Sequence, residues 1–192
     1  MKGIAMNRVS ASRHNFGVIE ILALSALALV TGAVPADQDR YTLAAPNGIA
    51  FSEFRGYSRW QDVAVSTTNT GIKAILGNPK MIEAYEEGIP GNGKPFPDGA
   101  AIVKIEWNKA PNPVSPYSVE VPATLKSVSF ITKDSQRFPA TSGWGYAQFL
   151  YDTAAHTFKP YGTDSLFGEK VCYKCHTIVA ARDYIFTTYP PR

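Results

Sequence analysis

The segment from Ala100 to Trp107 alternates side chain by side chain, with Ile102, Lys104 and Glu106 on one face and Val103, Ile105 and Trp107 on the other. That period of two specifies a β-strand. Similar runs follow at Leu125–Ile131 and at Trp144–Tyr151, the second rich in aromatics. Gly71–Gly77 reads as a strand between two glycines, and Val63–Ser66 begins another. The segments between them are turn-dense at 89–99, Pro-rich at 108–116 and turn-forming at 134–136. Fourteen Pro and fifteen Gly punctuate the chain more than a helical bundle tolerates.

Helical signals are short. Phe54, Tyr57 and Trp60 recur at helical spacing within 53–62. Asn78 and Pro79 supply an N-cap and a first helical residue for a helix over 80–87, which stops at Gly88. A third short helix is expected over 172–182; residues 152–168 read as irregular, and 184–189 as extended. The balance is α+β, mainly an antiparallel β-sheet with a few short helices. It forms one domain over 53–192, behind a flexible lead-in at 37–52.

The first 36 residues read as a secretory leader. Lys2, Arg8 and Arg13 form a basic region, residues 18–30 are apolar apart from Glu20 and Ser25, and Val34-Pro35-Ala36 presents small residues at a cleavage site. The alternative is an uncleaved anchor, for which the apolar run is short. Removing the leader takes the basic and acidic counts from 19 and 16 to 16 and 15. The mature chain is therefore near neutral, which gives no case for nucleic-acid binding. A cleaved leader makes the expected location periplasmic.

The chain holds two Cys, Cys172 and Cys175, and His176 follows the second. C-x-x-C-H is the attachment signature of a c-type haem. One helical turn brings both thiols to one side, where each adds to a haem vinyl group, and the next residue directs its imidazole at the iron. The competing reading is a redox C-x-x-C pair, which opens a helix early in a βαβ unit; no such unit precedes this one. One covalent haem c is expected, with His176 as its iron ligand.

A sixth ligand in electron-transfer cytochromes is usually Met or His. Outside the leader the candidates are Met81, on a helix expected at the surface, and His156, in a segment expected to be irregular. The other reading is a five-coordinate iron that binds a small molecule.

The run Pro95-Phe96-Pro97-Asp98-Gly99-Ala100-Ala101-Ile102-Val103-Lys104 resembles the cytochrome P-460 family and its relative cytochrome c′-beta. Trp144-Gly145-Tyr146-Ala147 and the C-terminal C-x-x-C-H followed by Arg182-Asp183-Tyr184-Ile185-Phe186 add to the likeness. The resemblance spans about residues 53–190. It implies a mainly antiparallel β fold, a homodimer and a five-coordinate haem. In the P-460 enzymes a lysine on this strand is linked to the porphyrin edge and the iron oxidises hydroxylamine; the c′-beta relatives lack the link. Lys104 matches that lysine.

Two departures qualify the match. The family's distal arginine falls at Lys73, which keeps the charge but not the planar fork. The family's distal carboxylate, a few residues beyond the haem motif, meets Thr177, Ile178, Val179 and Ala180 here. Asp183 is the first carboxylate available, either as that base or as a helix cap. Lys104, Lys73 and Asp183 are thus the expected catalytic side chains, and Cys172, Cys175, His176 and Lys104 the expected cofactor contacts. Oxidation of hydroxylamine or a related nitrogen compound, with electrons passed to a periplasmic redox partner, is one expected function. Binding of NO or another gas without turnover, and plain electron transfer, are the others.

Overall fold

The structure, a computed structural model, describes residues 38–192. The leader expectation therefore lies outside the described residues. Six strands form one antiparallel meander: β1 Gln61–Thr68, β2 Gly71–Gly77, β3 Ala101–Pro111, β4 Glu120–Lys133, β5 Trp144–Asp152 and β6 Thr157–Pro160, hydrogen-bonded in sequence order. The α+β class, a mainly antiparallel sheet with a few short helices, is what the structure shows.

The sheet is covered differently on its two faces. On one face Val103, Val128, Phe130, Ala147, Phe149 and Phe158 pack against Phe51, Phe54 and Tyr57. Phe54 stacks on Phe130 with ring centroids 4.0 Å apart, and Phe51 lies 4.8 Å from Phe149 and 5.1 Å from Phe130. These aromatics arrive on two 3-10 turns, Phe51–Phe54 and Tyr57–Arg59. The single helix expected over 53–62 is broken because Gly56 adopts a left-handed φ of 79° between them. Residues 38–52 are not a flexible lead-in: Ile49 and Phe51 are fully buried, and Ala44 bridges to Ala50. Their apolar side chains close this face, which is the physical reason the segment is held.

On the other face, α1 (Pro79–Glu86) and the C-terminal segment cover one end of the sheet. Met81, Ile82, Tyr85, Phe96, Trp144 and Ile185 are buried there. Asn78 caps α1 as its sequence predicts, its side chain accepting from Met81 N at 2.9 Å. Met81 is fully buried rather than on a surface helix.

The β3–β4 hairpin is longer than its sequence suggests. β2 pairs with β3 only to Trp107, and β5 with β4 only from Ser127. Beyond those points each strand has a single neighbour. The Pro-bearing ends at Pro111 and Pro122 can therefore stay extended without breaking a second ladder. β6, in the stretch expected to be irregular, is an edge strand, where Pro160 is tolerated for the same reason.

Candidate haem site

Register builds the site on the half-covered face. Three rows of side chains cross the sheet there. Ile102, Ile131 and Tyr146 face one another in the row nearest α1. Ile75, Lys104, Ser129 and Gln148 form the next row. Ser66, Lys73, Glu106 and Ser127 form the outermost. The alternation read at Ala100–Trp107 is what puts Ile102, Lys104 and Glu106 on this face together. Polarity thus rises from the buried end outwards.

Over these rows lies a cavity of about 420 Å³, walled by Ile75, Ile102, Ile131, Ile185 and Phe186 and reached by Lys73, Lys104, Cys172 and His176. Its size falls in the range of cofactor and small-molecule sites, about 300–1,000 Å³. Its lining is mainly apolar with a few polar groups, as such sites are.

The roof is the haem-motif helix. It runs as a π-helical stretch Gly168–Tyr173, an α turn Lys174–His176 and a 3-10 stretch Thr177–Arg182. It is thus a longer and more irregular helix than the expected 172–182. Cys172 sits in the cavity wall, and Cys175, one turn on, is exposed. The two sulfurs are not joined to each other in a disulfide. Burial pushes the Cys172 thiol up, with Lys104 pulling the other way.

His176 is half-buried, with its ring 4.9 Å from Tyr146 and 4.9 Å from Phe186. Its Nδ1 lies 2.6 Å from the Tyr184 carbonyl oxygen. A carbonyl can only accept, so Nδ1 carries the proton and Nε2 keeps the free lone pair. Burial depresses the pKa of this imidazole, the Tyr184 hydrogen bond opposes that, and Lys104 adds to it. A neutral imidazole with a fixed tautomer is what a metal ligand requires.

Lys104 is half-buried in the cavity wall. Burial lowers its pKa first, Glu106 resists, and Lys73 lowers it further. Lys73 also reaches the cavity. Glu106 pairs directly opposite Lys73, two residues along β3 from Lys104, and is bound by Lys126 at 3.0 Å.

Asp183 is elsewhere. Its backbone closes the haem-motif helix, donating to the Ala180 carbonyl at 3.0 Å. Its carboxylate accepts from Lys133 Nζ at 3.0 Å on both oxygens and from Phe96 N at 2.8 Å. The carboxylate does not line the cavity, so the geometry corrects the expectation of Asp183 as a distal base in favour of a cap. Among the described residues, no Asp or Glu lines the cavity. Met81 and His156 are not in its wall either: Met81 is core, and His156 sits in the exposed β5–β6 turn, 3.2 Å from Tyr151 Oη.

Sequence reasoning missed Gln148, Ser129 and Tyr146 as lining residues. Extending the period-two pattern of β5 from Tyr146 would have reached Gln148. Nothing in the sequence marks Lys133, the partner of Asp183 fifty positions away.

An imidazole with its Nε2 free, a thiol in the same wall and an apolar cavity beside both fit a c-type haem. The fold and site thus define a small β-sheet haem protein. The Cytochrome P460 family model matches residues 54–187, more than half of the chain, and the chain belongs to that family. Membership makes it a haem c cytochrome. No curated protein matches it.

Proposed function

We propose that the chain is an exported, periplasmic haem c protein that binds a small uncharged ligand of the NO class in this cavity. The observation that carries the reading is the lining: isoleucines and Phe186, neutral polar groups such as Ser129 and Gln148, and two lysines, with no carboxylate among the described residues to take a proton. Cys172 and Cys175 would hold the haem and His176 would ligate its iron. When bound, the haem supplies an iron with a position for a small ligand, together with one-electron redox chemistry. Ile75, Ile102, Ile131, Ile185 and Phe186 exclude water from the ligand. Lys73 and Lys104 keep a positive field that disfavours cationic ligands and admits neutral ones. The leader pattern supports export. The family likeness supports a homodimer that exchanges electrons with a small periplasmic partner.

A second reading, oxidation of hydroxylamine, is favoured by Lys104. Its lowered pKa enlarges the neutral fraction of the amine, and a neutral amine can accept a proton. The amine could instead be linked to the porphyrin edge, as in the P-460 enzymes.

The test is a pair of titrations on the haem-loaded protein. The ferrous form is titrated with NO, and the ferric form is given hydroxylamine with an artificial electron acceptor. Saturable NO binding without turnover supports the first reading, and absence of NO binding removes it. Turnover that Lys104→Met abolishes would establish the second instead.

A further inference from the structure

Tyr184 supplies the carbonyl that orients His176, and its backbone is held in an unusual conformation. Asp183 and Tyr184 have φ of 46° and 64°, consecutive left-handed residues that are not glycine. Asp tolerates this region; a tyrosine there is uncommon, and such a conformation persists only where its surroundings over-determine it.

The surroundings do so at several points. The Asp183 carboxylate accepts from Lys133 Nζ at 3.0 Å and from Phe96 N at 2.8 Å. Lys133 Nζ also donates to the Ser142 carbonyl at 2.9 Å and lies 4.8 Å from the Trp144 ring centroid. Both side chains of the pair are deeply placed, 6% and 11% exposed. Tyr184 N donates to the Val179 carbonyl at 3.1 Å, and Ser142 Oγ donates to Tyr184 Oη at 2.9 Å. The outcome is a carbonyl oxygen 2.6 Å from His176 Nδ1.

A buried ion pair is weak evidence for stability, because apolar residues of similar volume often do as well. Its place here, on the strained pair of residues that presents the carbonyl, gives it a more specific task. We propose that Asp183 and Lys133 are positioning residues: they fix the Tyr184 carbonyl against His176 and thereby set how strongly that imidazole donates to the haem iron. A short Nδ1–H bond to a fixed acceptor raises the basicity of the ligand and favours the ferric state. The proposal rests on His176 as the haem ligand and is independent of whether NO or hydroxylamine is the physiological ligand.

The experiment uses the haem-loaded protein with Asp183→Asn. Asparagine retains an acceptor for Phe96 N but turns a donor amide or a neutral oxygen to Lys133. Two properties are read: the ferrous iron–histidine stretching band by resonance Raman, and the ferric/ferrous midpoint potential. The expected result is a band at lower frequency and a shift of about tenfold toward the ferrous form at a fixed potential, which is ~59 mV for one electron.

The control is Glu53→Gln, which takes the negative charge from a salt bridge to Arg137, at 2.7 Å, that makes no hydrogen bond to Asp183, Tyr184 or His176; it leaves both readings unmoved. The double variant Lys133→Met/Asp183→Asn removes the pair without stranding a buried charge, and it shows the same two shifts. Unchanged readings in either variant, or shifts of equal size in the control, overturn the proposal. A double variant that no longer acquires haem while the control does also overturns it, because the pair then serves folding alone. A wild type whose ferrous spectrum is five-coordinate and high-spin but shows no iron–histidine band would instead remove His176 as the ligand, and this proposal with it.

Discussion

Replacing Asn78 by Ala tests whether one side chain sets the start of both α1 and β3. Its Oδ1 accepts from Met81 N at 2.9 Å and from Ala101 N at 3.1 Å, and its Nδ2 donates to the Gly99 carbonyl at 2.8 Å. Loss of an N-cap costs about 1 kcal/mol. The part-buried Ala101 N–H loses its side-chain partner, which costs about another 1 kcal/mol. The Gly99 bond is exposed, so water replaces it at little cost. The sum is about 2 kcal/mol. For a chain of this size that lowers Tm by roughly 4–8 °C.

Asn78→Asp separates a cap from a clamp. Aspartate caps helices as well as asparagine does. It keeps the two acceptor contacts but presents an oxygen to the Gly99 carbonyl instead of a donor. The clamp predicts that Asp recovers only part of the loss at pH 7, where its carboxylate is ionised. Guanidinium unfolding of the haem-loaded protein measures both variants. A loss below about 0.5 kcal/mol for Asn78→Ala, or full recovery with Asp, would refute the reasoning; that threshold is the scale of an ordinary surface substitution.

Phe51→Ala removes a fully buried ring from the face opposite the cavity and should cost about 3–5 kcal/mol in denaturant unfolding while leaving the haem absorption spectrum unchanged. Tyr85 is buried, with its hydroxyl donating to the Thr187 carbonyl at 3.3 Å, and burial pushes its pKa up to about 12. Its folded-state pKa is above its unfolded value of 10.0, so the resistance to ionisation is fully present below pH 10 and is lost as pH rises towards 12. Stability should fall across that window, and Tyr85→Phe should flatten the fall in alkaline unfolding curves; parallel curves for the two proteins would contradict it. Lys104→Met should leave haem attachment through Cys172 and Cys175 intact, which a haem stain of a denaturing gel reads directly.

Where local chemistry decides structure, the sequence was readable. Two glycines bound β2, and Asn78-Pro79 starts α1 where expected. The alternation in β3 assigned Lys104 to the face that became the cavity. The Pro-rich hairpin ends and β6 were misread because proline argues against a strand unless the strand is known to lie at an edge, and edges follow from the whole sheet. Residues 38–52 were misread because their burial depends on aromatics far along the chain, such as Phe130 and Phe149. Asp183 was visible as a carboxylate near the haem motif, but its direction was not. The contacts that turn it away from the cavity come from Lys133 and Phe96, both distant in sequence.

The most direct test of the central claim is the intact mass of the purified protein under denaturing conditions, made in a host that matures c-type haem. The account predicts the polypeptide plus one haem that denaturation does not remove, as the proposed covalent attachment through Cys172 and Cys175 requires. A mass short of that sum by a few hydrogens would add a bond to Lys104 and favour hydroxylamine oxidation over NO binding. A bare polypeptide lacking only the hydrogens of a Cys172–Cys175 disulfide would contradict the account.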